Sequence, residues 1–116
     1  MLIVFATKKL KKQCSSSKEA QKTWGTQRGK LVMRRLDEIL DSDNLGILTL
    51  VHPRCHALTG DRKGKWSVDL EHPYRLLFQV ENDPIPALED GGVDIKQVTE
   101  VMILGVEDTH GRRAKK

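Results

Sequence analysis

His56, Arg75 and His110 lie far apart in the chain, yet they are the side-chain types with which RNA is cleaved without a metal. Such cleavage needs a base to take the proton of the 2′-hydroxyl, an acid to protonate the leaving 5′-oxygen, and a cation to hold the charge that grows on the phosphorane. Histidine suits both proton-transfer roles because its ordinary pKa of about 6.5 keeps both protonation states populated near neutrality, and each such group contributes about 10² to 10⁴ in rate. Arginine suits the third role because its planar fork reaches two phosphate oxygens at once. Asp61-Arg62-Lys63-Gly64-Lys65 adds a cationic turn in which Asp61 and Gly64 shape the backbone, while Arg62 and Lys65 remain available to phosphate.

These residues need a scaffold that brings them to one surface. Trp66, Val68 and Leu70 alternate with Ser67, Asp69 and Glu71, the period of a strand, and His72-Pro73 then makes a tight turn. In the next strand Tyr74, Leu76, Phe78 and Val80 share one face, so Arg75, Leu77 and Gln79 share the other and Arg75 points away from the core. His56 and His110 stand on predicted strands or strand ends of the same sheet and can converge with Arg75 on its uncovered face. Residues 82 to 98, with Pro84, Pro86, Gly91 and Gly92, read as a long hairpin loop before a last strand at Val101–Val106.

The first half reads differently. The apolar residues 2 to 6 suit a first strand, Thr7 to Gln13 a short basic helix, and Ser16-Ser17-Lys18-Glu19 a capping-box start for a helix towards Trp24. Gly25 breaks that pattern. From Thr26, taken as an N-cap, Val32, Leu36, Ile39 and Leu40 form one helical stripe with Arg28, Lys30, Arg34, Arg35 and Glu38 mostly outside it, ending near Asp41–Asn44. Helices followed by grouped strands predict an α+β domain with helices on one face of a mostly antiparallel sheet.

A chain of 116 residues fits one domain with one core. With 4% aromatic residues that core must be built mainly from Leu, Ile and Val. Charge is polarised: residues 1 to 35 hold ten Lys or Arg against the single acid Glu19, whereas residues 36 to 110 hold six against fifteen. The tail after His110 adds Arg112, Arg113, Lys115 and Lys116. This distribution suggests a basic face for a polyanion, carried by Lys8, Lys9, Lys11, Lys12, Arg34 and Arg35. Cys14 and Cys55 have no paired spacing, so no disulfide framework is expected, and the opening apolar stretch is too short for a signal-peptide core or a membrane span. A reduced, cytoplasmic setting is the expectation. His52, Cys55 and His56 are all metal-ligand types, but three candidates within five residues and no second pair at finger-like spacing predict no metal centre. His52 and His72 read as turn or surface residues.

The ordered set His56-x-Leu58-x-Gly60-Asp61-Arg62-x-Gly64-x-Trp66-Ser67, then Tyr74-Arg75 before an apolar strand, then Glu107-Asp108-x-His110, resembles the HigB-type toxins of the RelE/ParE superfamily over most of the chain. The resemblance implies a RelE-like domain over residues 1–110, while the long loop at 82 to 98 and the basic tail at 111–116 depart from the family's pattern. It implies N-terminal helices on a four-stranded, mostly antiparallel sheet, and metal-free, cofactor-free cleavage of mRNA in the ribosomal decoding site, in contact with ribosomal RNA. It also implies inhibition by a helix-turn-helix, HigA-like antitoxin that alone contacts operator DNA. On that resemblance His56 and His110 match the catalytic histidines, Asp108 their acidic partner and Arg75 the phosphate-binding arginine. Thr59 stands where relatives often have lysine, and Thr109 where they often have tyrosine; Lys63 or Lys65 are the available replacements for the first charge. Two other readings stay open: a catalytically weakened relative that binds the antitoxin, and a ParE-like inhibitor of DNA gyrase.

Overall fold

A computed structural model describes residues 1–62 and 64–108; Lys63, Thr109, His110 and the tail at 111–116 lie outside the described residues. Along the chain run β1 (Leu2–Phe5), α1 (Lys8–Gln13), α2 (Ser17–Trp24), α3 (Thr26–Asp41), α4 (Leu45–Val51), β2 (His56–Ala57), β3 (Lys65–Asp69), β4 (Tyr74–Val80) and β5 (Glu100–Asp108). Short 3-10 turns occupy Gly60–Arg62 and Ile95–Gln97. The strands form one mixed sheet in the order β1-β5-β4-β3-β2, with β1 parallel to β5 and the other pairs antiparallel. The architecture is thus α+β as expected, but the sheet has five strands where four were expected. The additional strand is only two residues long, pairing His56 with Ser67 and Ala57 with Trp66. Two residues are too few to leave an alternation signal in sequence.

Local chemistry starts each helix. Thr7 Oγ1 accepts from the Leu10 amide at 3.0 Å and Ser16 Oγ from the Glu19 amide at 3.1 Å, each satisfying a donor left unpaired at a helix start. α3 begins one residue earlier than expected: Thr26 is its first helical residue and Gly25 precedes it with φ of 90°. That positive φ lets one glycine serve both helices, its N–H closing α2 on Gln21 O and its carbonyl accepting from Gly29. α4 was not anticipated. Asn44 Oδ1 accepts from the Ile47 amide, so the cluster read as a turn is also an N-cap. Leu45 and Leu48 enter the core, while Ile47, Leu50 and Val51 stay exposed, so α4 shows no clean apolar stripe.

One core fills the space between the helices and one face of the sheet. Leu10, Val32, Leu36, Ile39, Leu45 and Leu48 from the helices meet Val68, Leu76, Phe78, Val101 and Ile103 from the strands. Trp66 and Phe78, directly opposite in β3 and β4, stack with centroids 6.4 Å apart. α2 and α3 pack closely at Ala20 and Gly29, where a Cβ on residue 29 would lie 2.5 Å from Gln21 N and 2.7 Å from the Ala20 carbonyl carbon. The Met1 ammonium donates to the carbonyls of Ile39, Leu40 and Ser42, a positive group at the negative end of α3.

The connection between β4 and β5 is more ordered than the expected loop. Asn82 closes its base, its Oδ1 accepting from the amides of Thr99 and Glu100 and its Nδ2 donating to Thr99 Oγ1. Ala87 and Val93 form an isolated bridge, and Val98 is fully buried with its carbonyl bonded to the Leu45 amide.

Candidate active site on the open sheet face

The strand register sorts side chains between the helix-covered face and the open one. Directly opposed residues of antiparallel strands share a face, so His56 joins Ser67, and Arg75 joins Asp69 on one side and Glu107 on the other. Leu77 lies on the same open face, buried yet outside the main core, so this face has an apolar floor beneath its charged residues.

Arg75 is the hub of the polar cluster. Its Nη1 lies 3.5 Å from His56 Nε2 and 3.4 Å from Ser67 Oγ, and its Nε lies 3.5 Å from Asp69 Oδ1. Asp69 Oδ2 accepts from Arg54 Nε, so one carboxylate bridges two guanidinium groups. That hydrogen bond raises the Arg54 pKa further above its already high ordinary value. His56 is exposed, and its Nδ1 lies 3.3 Å from the carbonyl oxygen of Ala57. Sequence patterning placed Arg75 and His56 on a common open surface, and the geometry brings their side chains together. It gave no signal for Ser67 as a buried neighbour of Arg75, nor for Asp69 and Arg54, because alternation reports a face and not a partner.

A β-bulge in β5 decides which acid faces Arg75. Phe78 pairs with Ile103, but Leu77 pairs with Gly105, so Leu104 is passed over and the alternation of β5 shifts by one. Gly105 has φ of 148°, a conformation that favours glycine. Beyond the bulge Glu107 sits opposite Arg75, whereas Asp108 sits opposite Tyr74. Strict alternation would have put Asp108, with Met102 and Leu104, on the open face. Asp108, which the resemblance matches to the acidic partner of the histidines, thus stands opposite Tyr74, and the acid opposite Arg75 is Glu107. His110 lies outside the described residues.

The cations named from sequence divide into three groups. Lys65 projects from the open face two residues before Ser67, and Lys8, Lys9, Lys11, Lys12 and Arg34 are exposed on helices. Arg62 is paired with Glu107 across the sheet, so its charge is already neutralised by a carboxylate. Arg35 is a structural residue rather than a surface cation: its Nε donates to the Asp69 carbonyl at 2.7 Å, its Nη1 pairs with Glu38 at 3.1 Å, and its side chain is only 15% exposed. Lys63 lies outside the described residues. Arg28, read from sequence as lying mostly outside the apolar stripe, stacks 3.4 Å over the Tyr74 ring and pairs with Glu71 at 3.0 Å, fastening the β3–β4 turn to α3.

The three metal-ligand types at 52 to 56 diverge. His52 Nε2 lies 2.6 Å from Glu38 Oε1, Cys55 is buried in the core and His56 faces the open side. Burial pushes the Cys55 thiol up to about 12, aided by the nearby Asp69 carboxylate, and the Cys14 thiol up to about 11. Among the described residues no group of three or more His, Cys, Asp or Glu side chains is close enough to hold a metal ion, and no helix is long and apolar enough to cross a membrane.

Charge is distributed along the sheet axis. β1 runs parallel to β5, so the chain passes into the basic α1 towards the end of the sheet to which β5 runs, the end that carries Arg75 and Glu107. The 81 to 94 connection, with Glu81, Asp83, Glu89, Asp90 and Asp94 and no Lys or Arg, joins the opposite end. Five strand steps separate Arg75 from Val80, about 17 Å at about 3.4 Å per residue. Compared with models of known protein families and with curated proteins, the sequence matches none.

Proposed function

We propose that the protein is a HigB-type toxin of the RelE/ParE superfamily, an endoribonuclease that cleaves mRNA on the ribosome and is held inactive by a helix-turn-helix antitoxin. The observation that carries this reading is the convergence of His56, Arg75 and Ser67 on one open sheet face, with Arg75 Nη1 within 3.5 Å of both other side chains. A neutral His56 whose Nδ1–H donates to the Ala57 carbonyl presents the Nε2 lone pair outwards, the form needed to take a 2′-hydroxyl proton. In the resting protein that lone pair is met by Arg75. A scissile phosphate drawing Arg75 to its oxygens releases Nε2 as base while the guanidinium neutralises the phosphorane. His110 is the acid in this scheme, on the strength of the sequence resemblance.

The exposed lysines of α1 and Arg34 are assigned to ribosomal RNA, because they are exposed cations on the helices and β1 leads into α1 towards the end of the sheet that carries Arg75. Operator DNA is reached only through the antitoxin, and the cytoplasm is the proposed compartment.

Cleavage of message bound to purified ribosomes tests the reading. The parent cuts, and His56→Ala, Arg75→Ala and His110→Ala each slow the cut by about 10² or more while staying folded. Parental rates in all three variants overturn it, and gyrase-dependent DNA breaks with intact message would replace it by the gyrase-inhibitor reading.

A further inference from the structure

Arg54 was not among the residues that sequence singled out, and its position is unusual for a surface arginine. It lies in the turn that follows α4, where the Cys55 amide bonds to the His52 carbonyl and the Cys55 side chain is buried in the core. The backbone that presents Arg54 is therefore fixed on both sides. Its side chain is 71% exposed, and its Nε edge is engaged by Asp69 Oδ2. No hydrogen bond from its Nη groups occurs among the described residues. An exposed ion pair contributes little to stability, so fold maintenance does not account for this placement.

Asp69 holds the two arginines in a defined relation. Its Oδ2 takes Arg54 Nε, while its Oδ1, shielded from solvent, has Arg75 Nε at 3.5 Å without an aligned hydrogen bond. The Asp69 backbone is itself anchored by Arg35 Nε at 2.7 Å. Two guanidinium groups around one carboxylate keep a net positive charge. Arg54 presents its outer Nη groups to solvent beside the surface where Arg75 meets His56. The surplus positive charge of two guanidinium groups over one carboxylate, with the planar Nη donors of Arg54 left outward, suits the oxygens of a phosphodiester.

We propose that Arg54 forms, with Asp69 and Arg75, a second phosphate site that binds the RNA backbone next to the phosphate held by Arg75. Asp69 is the positioning residue of this site. It fixes both guanidinium groups and, by neutralising one positive charge, keeps the empty surface from binding polyanions indiscriminately. This assignment extends the ribonuclease reading, but its test does not depend on cleavage.

The probe is a short single-stranded RNA with 2′-O-methyl groups, which binds and cannot be cut. Its affinity is measured across a salt series for the parent, Arg54→Ala, Arg54→Lys and Asp69→Asn, each shown to be folded by circular dichroism. Loss of one phosphate contact lowers the slope of log affinity against log salt by about 0.7, so Arg54→Ala shows that smaller slope and about threefold or weaker binding. Arg54→Lys keeps the slope, because it keeps the charge. Asp69→Asn binds more tightly than the parent. An Arg54→Ala variant with parental affinity and slope overturns the second site while leaving the catalytic reading intact. A parent that binds RNA with an Arg54-dependent slope yet cuts no message overturns the catalytic reading and keeps the site. A parent with no measurable affinity for the RNA overturns the second site and leaves the catalytic reading to the ribosome-bound cleavage assay.

Discussion

Arg75 Nη1 lies 3.5 Å from His56 Nε2, so the cation and the base proposed for RNA cleavage occupy each other in the resting protein. Replacing Arg75 therefore removes a phosphate ligand and also uncovers the imidazole. Arg75→Lys should retain less than about a tenth of the parental cleavage rate, because a point charge cannot supply the bidentate fork. Single-turnover cleavage of ribosome-bound message measures it, and a rate equal to the parent would show that geometry is unimportant at this position.

Glu107 takes the place beside Arg75 and is paired with Arg62, so under the proposed ribonuclease reading it opposes the binding of RNA phosphate. Glu107→Gln should leave Arg62 available to phosphate. Affinity for an uncleavable RNA is expected to rise, with a salt slope steeper by about 0.7. Loss of this largely shielded ion pair costs on the order of 1 to 3 kcal/mol of stability. Urea unfolding and a salt titration check both expectations on the same preparation.

Gly105 is required by backbone geometry, since its φ of 148° belongs to a region that side chains rarely occupy. Gly105→Val should destabilise the fold by about 1 to 3 kcal/mol. Activity should also fall by more than the loss of folded protein explains, because relaxing the bulge returns Glu107 to the other face. Cleavage per folded molecule, with folding followed by circular dichroism, separates the two effects.

Gly29 offers a control remote from the open face. A Cβ there would meet the α2 backbone at 2.5 to 2.7 Å, and backbone cannot rotate aside as a side chain can. Gly29→Ala is expected to cost about 1 to 3 kcal/mol through forced separation of α2 and α3. Cleavage per folded molecule should remain at the parental level. A stability equal to the parent in urea would show that the helix pair has slack at this contact.

Stability should fall in alkaline solution because of the two buried thiols. Their pKa values are raised in the folded state, Cys55 to about 12 and Cys14 to about 11, from an ordinary value of 9.0. Above pH 9 the unfolded chain loses thiol protons that the folded chain keeps. The folded state then binds more protons, and its stability declines as pH rises from about 9 to about 11 for Cys14 and to about 12 for Cys55, by up to about 1.4 kcal/mol per pH unit for each thiol. Below pH 9 the contribution is fully present. Cys55→Ala should flatten the decline relative to the parent in unfolding measurements at pH 8, 9 and 10; an unchanged slope would place the Cys55 thiol in solvent.

Much of the arrangement was legible from short-range chemistry. Thr7 and Ser16 announced two helix starts, Val32, Leu36 and Ile39 marked the buried stripe of α3, and the alternation from Tyr74 to Val80 assigned Arg75 to the open face. Where the sequence was silent, the signal was either too short or not local. The two residues of β2 carry no period, α4 is apolar on more than one side, and Asn44 reads equally as turn or cap. Arg35 looked like a surface cation because nothing in its neighbourhood along the chain shows that Asp69, thirty-four positions away, would accept its hydrogen bond.

By itself, the sequence determined the α+β order of elements, the basic N-terminal segment and the place of Arg75 on the open side of its strand, since periodicity and capping act over only a few residues. Only the tertiary structure decided that Glu107 rather than Asp108 faces Arg75 and that Asp69 joins Arg54 to Arg75. The first depends on a bulge that resets the pairing of β5 with β4, and the second on side chains brought together by strand pairing and by the turn after α4. Register is a property of two strands at once, and one residue of slip reverses the face of everything beyond it.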